Sequence, residues 1–64
     1  MDPATRAAFE RQIEGYKEEY LGWIKIAREF EAANPGDYHA MDTYMKAQDA
    51  LDIAQRMERI LSAV

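Results

Sequence analysis

Asn34-Pro35-Gly36-Asp37 is the only helix-breaking cluster in the chain, and its reading decides the fold. A residue before proline is pushed out of helical backbone, and the proline itself removes a donor. Glycine then permits a tight turn, and aspartate caps the helix that follows. Upstream, Asp2-Pro3 reads as an N-cap followed by proline at the first helical position. The sequence therefore predicts a single all-α domain over residues 1–64, an antiparallel two-helix hairpin (helix-turn-helix). Its helices run over about 3–33 and about 38–62, joined by a turn at about 34–37. At a rise of about 1.5 Å per residue these are rods of roughly 45 and 37 Å. No strand pattern competes.

Apolar spacing supports the hairpin and sets its register. Phe9, Ile13, Tyr16, Tyr20, Trp23, Ala27 and Phe30 alternate in steps of four and three, one seam of a helix. The second helix carries a matching seam in Tyr44, Ala47, Leu51, Ala54, Glu58 and Leu61. Folding back at residues 35–36 sets Ala27 beside Tyr44, Trp23 beside Ala47, Tyr20 near Leu51, Tyr16 beside Ala54 and Phe9 near Leu61. Large faces small at several levels, as close packing of two rods requires.

Composition narrows the function classes. Sixty-four residues make one small domain at most. The chain has no cysteine, so neither a disulfide framework nor a thiolate zinc site braces it. Eight Lys and Arg against twelve Asp and Glu leave a formal charge of −4, the wrong sign for coating a phosphate backbone. Leu, Ile, Val and Phe supply only 11 residues, and 11 alanines with four Met, four Tyr and one Trp make up the apolar deficit. The start, Met1-Asp2-Pro3-Ala4-Thr5-Arg6, lacks the basic and apolar regions of a targeting segment. Tyr20 to Ala27 is the longest nearly apolar stretch, far short of the roughly 20 residues that cross a bilayer. A soluble, cytoplasmic chain that binds neither membrane nor nucleic acid is the expectation.

Chemistry finds little purchase. Glu10, Glu14 and Glu18 form an i, i+4 ladder on the polar side of the first helix, with no Glu-x-x-His partner to complete a carboxylate metal site. Asp49 and Asp52 read as solvated, and Asp42–Lys46 and Asp52–Arg56 as ordinary i, i+4 pairs. His39 is the sole histidine, in the first turn of the second helix and without a nucleophile at a defined spacing. Tyr16, Tyr20, Trp23 and Tyr44 at heptad spacing read as core. There is no phosphate-binding glycine loop. The expectation is a non-enzymatic chain with no cofactor, metal or catalytic residue.

The apolar residues exceed what one hairpin seam uses. Ala50, Ile53, Met57, Ile60 and Val64 form a second seam on the second helix, widening its apolar arc to about half the circumference, beyond an ordinary ~100° stripe. On the first helix, Ala8, Gly15 and Gly22 recur every seven residues, with Ile26 beyond. Two interior glycines cost roughly 1 kcal/mol each relative to alanine, and on one face they leave a groove for another helix. Ala50, Ile53, Met57, Ile60, Val64, Gly15, Gly22 and Ile26 are thus the candidate partner-binding residues, because a contiguous apolar patch marks an interaction site.

Gly36-Asp37 at the turn, Tyr44, and Ala50-Leu51-Asp52-Ile53-Ala54 before an apolar tail carry a resemblance. In length, turn position and this Ala-Leu-acidic-x-Ala run, the chain resembles the small E-type co-chaperones of bacterial type III secretion needle subunits. The architecture matches throughout, the sequence over residues 36–57. The resemblance implies a hairpin that docks on a tetratricopeptide-like chaperone and helps to keep the needle subunit soluble in the cytoplasm. The alternative is a self-associating structural protein, in which two hairpins related by a two-fold axis bury their second seams in a four-helix bundle.

Overall fold

The computed structural model describes all residues, Met1–Val64. It consists of two helices, α1 (Pro3–Ala33) and α2 (Tyr38–Ser62), packed along their length as an antiparallel hairpin. The molecule measures 48 × 15 × 11 Å, one helix layer thick.

Local chemistry explains each end. Asp2 has extended backbone, and its carboxylate accepts a 2.7 Å hydrogen bond from the Thr5 amide while Pro3 opens α1. Asn34, restricted by Pro35, is extended and ends that helix. Proline at the second position of the turn and Gly36 at φ +82° at the third give the left-handed step that a type II turn needs. The Asp37 amide donates back to the Asn34 carbonyl at 3.0 Å, closing the turn. Asp37 then caps α2, its side chain accepting from the His39 amide at 2.9 Å.

Both capping carboxyls lie below the ordinary carboxylate range because backbone amides hydrogen-bond their charged forms: Thr5 for Asp2 and His39 for Asp37. A depressed folded-state value stabilises the hairpin above the ordinary carboxylate pKa, and the contribution fades as pH falls through the folded value. The Asp2→Asn/Asp37→Asn chain keeps a capping oxygen but cannot titrate there. Its thermal midpoint is expected to fall less than that of wild type between about pH 5 and about pH 2. Parallel acid limbs in the two melting series contradict this account.

The helix–helix seam is built from small side chains. The buried set is Ile13, Ala27, Ala40, Thr43, Ala47, Ala50 and Ala54, and no large side chain is fully enclosed. Alanines let the rods approach closely, while Tyr16, Tyr20, Trp23, Tyr44 and Leu51 flank the line of contact with part of their surface exposed. Thr43 satisfies its hydroxyl by donating to the His39 carbonyl at 2.7 Å.

The expected register holds in outline, with Trp23 at the level of Lys46 and the Phe30 ring stacked on His39. Three details differ. The α2 seam is centred on Ala40, Ala47 and Ala54, so Thr43 and Ala50 join it, and Glu58 lies outside it as an exposed partner of Lys17 at 3.5 Å. Phe30 is exposed, because the contact near the turn runs through the smaller Ala27 and Ala40. Trp23 is only partly covered rather than sunk against Ala47, its indole N–H donating to Glu19 at 3.4 Å.

Candidate interaction face

A 3.6-residue projection sorts the remaining side chains onto two broad faces of the hairpin. On one face the helices are tied by polar links: Lys17 to Glu58, and the Tyr44 hydroxyl donating to Glu31 at 3.1 Å. Partial burial, reinforced by the Glu31 carboxylate, pushes the Tyr44 phenol up. The link from Lys17 is solvent-exposed and contributes at most about 1 kcal/mol.

The other face is apolar. From α2 it presents Ile53, Met57, Ile60 and Val64; from α1 it presents Ile26 and Phe30, with Ala8, Gly15 and Gly22 towards the outer edge. Ile53, Ile60 and Val64 are 38%, 48% and 64% exposed, and Ile26 40%. Tyr16, Glu19 and Trp23 of α1 line one shallow recess with Lys46, Asp49, Ala50 and Ile53 of α2. The Lys46 ammonium stands 5.2 Å from the centre of the Trp23 ring, within cation–π range. By the projection, Glu19, Lys46 and Asp42 are the charged side chains of this face, Asp42 on the same line of α2 as Ile60, with Arg11, Glu29 and Asp49 at its margins.

Most of the expected partner-binding residues therefore share one side of the molecule, contributed by both helices. Ala50 does not belong with them. It is 4% exposed and lies in the hairpin seam, because α2 is rotated slightly towards its second apolar row. Met57, partly buried, bridges seam and surface. Gly15 and Gly22 stand open: a Cβ added at either meets nothing within 4 Å. Gly15 also borders a polar recess with Glu10, Arg11, Glu14 and Glu18, which marks the outer limit of the apolar face.

No family model, curated protein or solved structure matches the chain. No three His, Asp or Glu side chains converge as a metal site, and every buried side-chain polar atom has a partner. His39 pairs with its own cap, Nδ1 lying 3.2 Å from Asp37. Lys46 pairs with Asp42 at 3.8 Å, whereas Asp52 accepts from Gln48 at 3.1 Å rather than pairing with Arg56. No helix is long and apolar enough to cross a membrane.

Sequence reasoning did not single out Trp23, Glu19 and Lys46 as part of this face. Trp23 is assigned to the seam by its heptad position, whereas the structure leaves it half-buried, lining the recess on this face. Leu21, Met41 and Met45 are also exposed, at 63%, 67% and 67%. They lie on the outer and opposite sides, where Leu21 lines a recess with Tyr20, Ile24 and Ala32 as well as Lys25, Arg28 and Glu29.

Proposed function

We propose that this chain is a non-enzymatic protein-binding hairpin whose working surface is the face carrying Ile53, Met57, Ile60, Val64 and Ile26. One observation carries the reading: Ile13 is the only large side chain among the buried residues, while a row of branched aliphatics stays exposed along one side. A fold that builds its seam mostly from alanines and leaves Ile26, Ile53 and Ile60 on its surface is completed by another apolar surface. The resemblance to needle-subunit co-chaperones supports a helical-repeat partner of tetratricopeptide type, with the hairpin helping to hold an export substrate soluble in the cytoplasm.

Trp23 is the only tryptophan and borders this face, which supplies the test. Tagged chain recovered from its own cells identifies the helical-repeat protein, and the complex is rebuilt from purified components. Adding that partner is expected to shift Trp23 emission to shorter wavelength as the indole loses water. A stable rebuilt complex in which the emission does not move places the contact elsewhere and overturns the assignment.

A further inference from the structure

We propose that the recess around Trp23 is a site for an arginine side chain of the partner, closed in the free chain by Lys46. The proposal rests on the apolar face being the working surface and names the chemistry its partner supplies there. Walls, surrounding charge and present occupant each point to it.

The walls are aromatic and acidic together. Trp23 and Tyr16 line the recess from α1, with Ala50 and Ile53 of α2 across from them. An aromatic face attracts a cation, and the planar guanidinium of arginine stacks on such a ring while its N–H groups stay free at the edges. Glu19 and Asp49 line the same recess, one from each helix. Neither takes part in an ion pair of the chain. A guanidinium lying on Trp23 therefore finds carboxylate acceptors for its edge N–H groups.

The surrounding charge is one-sided. Residues 18–52, the half of the hairpin nearest the turn, hold eight Asp and Glu against three Lys and Arg. The other half holds four against five, so the negative charge of the chain is concentrated towards the turn. Of the three bases, Lys25 and Arg28 line the recess beside Leu21 on the other side of α1, which leaves Lys46 alone on this face. Against it stand Glu19, Asp42 and Asp49, with Glu29 at the margin. Arg11 lies eight residues from Glu19 and Arg56 seven from Asp49, roughly 12 and 10.5 Å along the helices, too far to pair with them. A cation brought by another molecule completes this balance, whereas an acidic surface is repelled.

The present occupant is itself a cation. The Lys46 ammonium stands 5.2 Å from the centre of the Trp23 ring. Asp42 holds it only at 3.8 Å, and both side chains are more than half exposed. An exposed pair of this kind contributes at most about 1 kcal/mol, so little opposes the swing of Lys46 off the ring. An ammonium is also a strongly hydrated point charge, while a guanidinium is flat and more weakly hydrated, the better match to an indole.

A titration with N-acetylargininamide, followed by NMR at the indole N–H of the only tryptophan, tests the site. The resonance is expected to shift and saturate at millimolar concentration, and the uncharged isostere N-acetylcitrullinamide is expected to leave it in place. Lys46→Met removes the internal cation and keeps a helix-forming side chain; it is expected to tighten argininamide binding roughly threefold. Glu19→Gln/Asp49→Asn keeps the shape of the recess and is expected to weaken binding roughly fivefold. Equal responses to the two amides, a Lys46→Met chain that binds no tighter, or a double amide variant that binds as wild type each overturns the proposal. If argininamide fails while the purified partner still shifts Trp23 emission, this site falls and the function proposed above stands. A partner that leaves the emission unmoved overturns both, since none of its arginines then reaches the ring.

Discussion

The Ala47→Trp chain is expected to lose its hairpin. Ala47 is fully enclosed, in the middle of a seam where alanines at 27, 40, 47, 50 and 54 hold the two helices close. An indole there cannot be absorbed by a rotamer change, so the rods must part and the neighbouring alanine contacts open with them. Overpacking typically costs about 1–3 kcal/mol, and here the loss is placed at the upper end, roughly 3 kcal/mol, because Ala47 has no exposed surface through which an indole could escape. A core this small supplies only a few kcal/mol in total, so the variant is expected to be largely unfolded at room temperature by circular dichroism. Met45→Trp is the control: Met45 is 67% exposed on the outside of α2, and its replacement is expected to leave the denaturant midpoint nearly unchanged. Equal midpoints for Ala47→Trp and wild type show that the helices do not meet along the alanine row.

The same alanines explain what was legible in the sequence. Helix ends and turn follow from local chemistry at Asp2-Pro3 and Asn34-Pro35-Gly36-Asp37, where few conformations compete, so tertiary contacts have little to alter. Register was readable because large residues on α1 oppose small ones on α2. Rotation about each helix axis was harder, since alanine suits both core and surface and therefore carries little directional signal. A seam read through Tyr44, Leu51 and Glu58 and one read through Thr43, Ala50 and Met57 differ by a modest turn of α2. The structure lies between them, centred on Ala47 and Ala54.

That small rotation had consequences for the site. It drew Ala50 into the seam, left Glu58 free to pair with Lys17, and pushed Trp23 towards the face it borders. Ile53, Ile60 and Val64 stayed exposed under either rotation because they sit far from the centre of the arc. The glycines of α1 were visible as a seven-residue repeat.

Ile53→Glu/Ile60→Glu is expected to abolish association while sparing the hairpin. The two side chains point roughly 120° and 140° away from Ala47 around α2, where α1 cannot cover them, and both are well exposed in the single chain. Glutamate is a good helix former, so the helix signal of the isolated hairpin is expected to stay close to wild type. At a contact, each carboxylate is desolvated without a partner, a penalty of several kcal/mol. Taking roughly 3 kcal/mol for each, one substitution weakens binding more than 100-fold and the pair removes it from the measurable range. In sedimentation the free protein then appears at the single-chain mass, and on a partner column it washes through. Arg59→Glu, one position from Ile60 but on the outer side of α2, controls for charge alone and is expected to bind nearly as wild type. A double variant that keeps both its helix signal and its association removes Ile53 and Ile60 from the interface, whichever molecule sits across it.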